Sequence, residues 1–193
     1  MLKILNHSFK NNLLRIVFVI IFIFFSRVSQ AQIELPIENG LEYNSVLVKP
    51  FLDSLHKQND YVIAFRVVLP ASQESNPKYF VLTSIANHFQ AFSYAGKIEK
   101  LSLPNQSLEL IWENLVQNEL FSMKDERELS NFCPKKYHVY NSYSYEFTLI
   151  AKNKLKTLSY YCPEHYDEVC FGMPERKKII NSVSVIDLLA LKD

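Results

Sequence analysis

Glycine is scarce: the 193 residues hold three, Gly40, Gly96 and Gly172. Phosphate-cradling loops need several glycines close together, so that backbone N–H groups can approach the ligand. Glycines this far apart exclude P-loop and Rossmann nucleotide sites. Other signatures are missing too. There is no HExxH, GxSxG, calcium-loop or CxxC pattern, and so no motif for a catalytic residue, a cofactor or a metal ion.

Long apolar runs are also lacking. The longest, Ile16 to Phe25, has ten residues. As a helix it spans about 15 Å, roughly half a bilayer's hydrocarbon core. It therefore reads as the core of a signal peptide. Lys3, Lys10 and Arg15 supply the basic start, and no acid precedes Glu34. Ser29-Gln30-Ala31 has the small-x-small form of a peptidase site. The expectation is a signal peptide over 1–31 cut after Ala31, and one globular domain over 32–193, secreted or periplasmic, with no membrane attachment afterwards. The competing reading is an uncleaved anchor over Leu13 to Phe25, which would bury Arg15 in the span.

Cleavage removes four of the 21 basic residues (Lys3, Lys10, Arg15, Arg27) and none of the 20 acidic ones, so the net charge falls from +1 to −3. A mildly acidic domain lacks the clustered positive charge that nucleic-acid binding requires. No nucleic-acid partner is expected. Lys135-Lys136 and Arg176-Lys177-Lys178 read as solvated faces.

What is abundant is aromatic. All eleven tyrosines lie after the signal segment, and tyrosine suits a pleated, half-buried surface. Tyr61–Leu69, Tyr79–Ile85, His88–Tyr94 and 97–103 are expected strands, with a polar loop over 71–77 and a turn at Gly96. Pro50 starts a short helix with Phe51, Leu52 and Leu55 on one side. After Asn105 or Ser107 as N-cap, Leu108, Ile111, Trp112, Leu115 and Val116 recur at helical spacing. The segment 124–131 is charged and reads as a surface loop. Tyr143–Ala151 and Lys154–Cys162 form a hairpin around Asn153. Pro174 opens a last helix with Ile179, Val183, Ile186 and Ala190 inward. The fold class is α+β: an antiparallel sheet of five to six strands with two main helices packed on one face.

Three cysteines remain, Cys133, Cys162 and Cys170. If Ile150 pairs with Leu155, Cys162 lies opposite Tyr143, and all three gather at the open end of the hairpin. One disulfide and one thiol is the simplest arithmetic in an exported protein. Cys133–Cys170 is favoured, because both lie in irregular segments free to meet disulfide geometry. Cys162 is then the free, buried thiol. Two alternatives use the same cluster: a zinc site of Cys133, Cys162, His165 and Cys170, and a thiol nucleophile served by His165 or His138. Glu164, Asp167 and Glu168 read as solvated charge rather than a glycosidase pair.

Tyr137, Tyr140, Tyr143, Tyr161 and Tyr166 form a candidate binding patch at the same end. The expected function is a non-enzymatic domain that binds a protein or glycan there. The rival is a small hydrolase or thiol-dependent enzyme whose site is assembled from dispersed residues. Oligomeric state leaves no mark in the sequence.

Overall fold

Val62 to Phe65 are buried on both sides of their strand, which places that strand in the middle of the sheet. The computed structural model describes residues 49–70, 78–129, 133–151, 154–170 and 172–191, all within the unit Glu34–Asp193. The expected signal peptide and cleavage site, the lead-in before Lys49, the 71–77 loop and the Asn153 turn lie outside these residues. The elements are α1 (Lys49–Gln58), β1 (Tyr61–Val68), β2 (Tyr79–Ile85), β3 (His88–Tyr94), β4 (Ile98–Lys100), α2 (Asn105–Gln117), β5 (Ser144–Ala151), β6 (Lys154–Tyr161), α3 (Pro163–Val169) and α4 (Pro174–Ala190). They form an α+β fold with one six-stranded antiparallel sheet, in the order β4-β3-β2-β1-β5-β6. No described helix is long and apolar enough to cross a membrane.

Strand alternation divides the core. Leu52 of α1 packs with Val62, Ala64, Tyr79, Val81 and Ile150 on one face, with Phe51 and Leu55 beside it. The alternate residues face α2. There Trp112 lies 5.4 Å from Tyr61, 5.5 Å from Phe89 and 5.6 Å from Phe121, ring centre to ring centre. α4 packs beside α2, burying Ile179, Val183 and Ile186.

The β2–β3 turn is two residues long, with Ala86 at φ 44° and Asn87 at φ 64°. Two-residue hairpins favour this left-handed backbone because it matches the strand twist. Alanine is strained there, and the Asp60 carboxylate holds it by accepting from the Ala86 N–H at 3.0 Å. Gly96 makes the next turn at φ 77°.

Several expectations are corrected. The fourth strand is only Ile98–Lys100. α2 starts after Pro104, with no side-chain cap from Asn105 or Ser107, and Val116 lies 37% exposed at the margin of the stripe. Residues 163–169, given no element from the sequence, form a short helix. The largest change concerns the charged segment after residue 123. Its Asp125 is 2% exposed and Glu126 half-buried, while Lys124, Arg127 and Glu128 stay exposed, so Lys124–Leu129 is a surface segment with two acids turned inward rather than a wholly solvated loop.

Candidate functional site

The open end of the β5–β6 hairpin gathers most of the residues singled out from the sequence. Ile150 pairs with Leu155 and Ser144 with Tyr161. The Cys162 N–H then donates to the Tyr143 carbonyl at 2.9 Å, one step past the last pair. Cys162 takes a left-handed conformation, φ 43°. That turn redirects the chain from β6 into α3, where Pro163 fits the first helical turn.

The sulfur atoms behave as one pair and one thiol. Cys133 and Cys170 are joined in a disulfide with Cα atoms 5.2 Å apart, within the usual range. Cys162 is buried and unbridged, and Ser142 Oγ donates to its Sγ at 3.2 Å. Cys162, Tyr166 and Cys170 form a small second core, with Cys133, Tyr137, Tyr143, Tyr161 and Val169 packed around it. The disulfide uses two of the four residues of the zinc reading. The histidines of the thiol-enzyme reading meet carbonyls: His165 Nε2 lies 2.9 Å from Tyr137 O, and His138 Nε2 3.3 Å from Cys133 O.

The tyrosines divide by what their hydroxyls do. Tyr166, buried, accepts from the Val139 N–H at 3.2 Å; Tyr161 accepts from the Ser142 N–H at 3.0 Å. Tyr143 donates to Glu164 Oε2 at 2.5 Å, and Tyr145 donates to Oε1 at 2.6 Å. Burial, then the hydrogen bond to Glu164 and its charge, push both phenols well above their ordinary range. Glu164 is therefore a clamped acceptor rather than solvated charge. Tyr137 is half-buried, and Lys136 Nζ sits 4.7 Å from the centre of its ring. Tyr140 alone of the five points outward, 79% exposed. Lys135, Lys136, His138 and Asn141 are exposed with it.

Tyr145 was missed from the sequence patch, as were the groups that support the site from behind. Asp125 Oδ2 accepts from the Ser159 N–H at 2.7 Å, and Glu126 Oε2 accepts from the Tyr161 N–H at 2.8 Å. Two side chains thus take up N–H groups along the outer edge of β6, which a seventh strand would otherwise use. Arg176, 1% exposed, donates through Nε to Glu126 Oε1 at 3.0 Å. Its Nη1 reaches the Tyr166 and Cys170 carbonyls, both at 3.3 Å, and its guanidinium lies 5.1 Å from the centre of the Tyr166 ring.

The outcome is an irregular segment, 133–143, whose backbone is held at many points: a disulfide, two phenol hydroxyls, a histidine and the first step beyond a β-ladder. Chemically it is a fixed display of an aromatic ring, an amide and cations. No family model, curated protein or solved structure matches this chain.

Proposed function

We propose that the chain is exported, and that its domain is a non-enzymatic binding module of the periplasm or cell exterior, engaging a protein or glycan through the open end of the β5–β6 hairpin. One observation carries this reading. Apart from one 3₁₀ turn at Lys135–Tyr137 the segment 133–143 has no helix or strand, yet its backbone is tied to α3 and β6 by Tyr166, Tyr161, His165 and the Cys133–Cys170 bridge. Ordering a loop before binding removes an entropic cost that binding would otherwise bear. Tyrosine adds rigid contact area with few torsions to freeze. The disulfide is the kind of link that persists in an oxidising compartment.

The test uses the precursor produced with its own leader and recovered from the envelope and culture fluid. A photo-crosslinking residue replaces Tyr140 in one variant and Glu99, exposed on β4 at the opposite sheet edge, in another. Adducts from position 140 and none from 99 are expected. Equal yields, or none from 140, would overturn the reading, and an uncleaved Met1 on membrane-bound protein would overturn export as a soluble domain.

A further inference from the structure

The partner's chemistry follows from which side chains this end turns outward, given the binding role proposed above. Between Glu128 and Glu146 the sequence has no carboxylate, and of the acids on α3, which packs against this segment, Glu164 is committed to two phenols, Asp167 is half-buried and Glu168 is exposed. Lys135, Lys136 and His138 lie in that gap and are exposed. Over 137–145 the chain reads four tyrosines, two serines and an asparagine. Tyr143 and Tyr145 are committed to Glu164, while Tyr140 presents its ring to solvent. Asn141, exposed and at φ 54°, turns the chain directly after that ring.

We infer that this surface takes an anionic glycan. Three features separate a glycan from a protein partner. The centre of a protein interface is apolar and poor in lysine, whereas here two exposed lysines and an exposed histidine lie within five residues of one exposed ring. Val139, the aliphatic residue of the group, is half-buried and turned partly inward. A sugar offers axial C–H bonds that match the negative face of an aromatic ring, and hydroxyls that an asparagine amide can both donate to and accept from. The cations then select sugars carrying carboxylate or sulfate. Lys136, held over the Tyr137 ring, is already placed, so its charge needs little ordering on binding.

The exported protein is titrated calorimetrically with a galacturonic-acid oligomer, a sulfated oligosaccharide, a neutral galactose oligomer and an oligoglutamate peptide of equal charge. At least one charged sugar should bind, and raised salt should weaken it. The neutral sugar and the peptide should bind at least about tenfold more weakly. Tyr140→Ala should lower affinity for the charged sugar about tenfold, and Tyr140→Trp should retain it. Lys135→Gln with Lys136→Gln should bring the charged sugar down to the neutral one. Melting midpoints should stay unchanged, since none of these side chains is buried. Peptide binding as tight as sugar binding would overturn the glycan assignment in favour of an acidic protein segment. No sugar binding, with position 140 still crosslinking to a partner, would overturn the glycan and leave the binding role standing. Unchanged sugar affinity in Tyr140→Ala would overturn the assignment of this face.

Discussion

A carboxylate can be buried when donors meet its lone pairs, and Asp125 meets that condition. Arg127 donates to it from Nε at 2.6 Å, from Nη2 at 2.9 Å and from its backbone N–H at 2.9 Å; Ser159 N–H adds a fourth bond. Burial alone would raise its pKa, but these bonds together outweigh burial and hold it below the ordinary 3.8. The sign follows from linkage: a depressed acid stabilises the fold above its unfolded value, and that contribution is lost as pH falls through the folded one. Asp125→Asn should therefore cost about 2–3 kcal/mol at neutral pH, with the deficit shrinking once the pH falls well below 3.8. Urea melts at the two pH values check it, and a deficit independent of pH would mean that charge is not what Asp125 contributes. Glu164 offers a second test at this scale. Glu164→Gln removes the charge between two phenols and should cost about 1–2 kcal/mol. Ultraviolet titration should then show two tyrosines ionising nearer the ordinary 10.0 than in the parent. An unchanged titration curve would sink the clamp.

At the scale of elements, the edge strand β6 shows what a sequence hides. Its register was legible: the expected pairing of Ile150 with Leu155 is the one observed. Cys162 opposite Tyr143 followed from that register, and the clustering of three cysteines followed from Cys162. The segment covering the β6 edge was not legible. Lys124-Asp125-Glu126-Arg127-Glu128 has the composition of a solvated loop, and only the tertiary fold brings Ser159 and Tyr161 N–H groups to two of its acids. Glu164 and Arg176 were misread for the same reason: partners 19 to 50 residues away leave no local pattern. The α2 stripe failed only at its margin, where Trp112 is half-buried among three rings and Val116 faces solvent. Arg176 is the residue on which α3, α4 and the β6 edge converge. Arg176→Ala would leave Glu126 without that cation and take one donor from each of the Tyr166 and Cys170 carbonyls, at a cost of about 3–5 kcal/mol. Because the two groups share one network, adding Glu126→Gln should cost much less than it does alone. Strictly additive losses in denaturant melts would show that the pair is not coupled.

For the whole molecule, the α+β class was readable because it is a sum over many residues. The use of the hairpin's open end depends instead on one covalent link. Cys133 and Cys170 are 37 residues apart in sequence, and closing a loop of that length restricts the unfolded chain by about 4 kcal/mol. The link also acts inside the native state. It ties the start of the display segment to the C-terminal end of α3, where the Cys170 carbonyl accepts from Arg176. Replacing both cysteines by serine should therefore do two separable things. Global stability should fall by about 3–4 kcal/mol in urea melts. Beyond that, the segment should open locally, since one of its anchors is gone while the main sheet is untouched. Trypsin reports the second effect directly, because Lys135 and Lys136 lie within the segment. Cleavage after Lys136 should accelerate at least about tenfold under native conditions, with the sites at Lys57 on α1 and Arg66 on β1 unchanged, and the buried Cys162 should stay unalkylated until the protein unfolds. Equal acceleration at every site would mean that the bridge only raises global stability. Unchanged cleavage after Lys136 would mean that the hydrogen bonds from Val139 and Ser142 to Tyr166 and Tyr161 hold the segment without it.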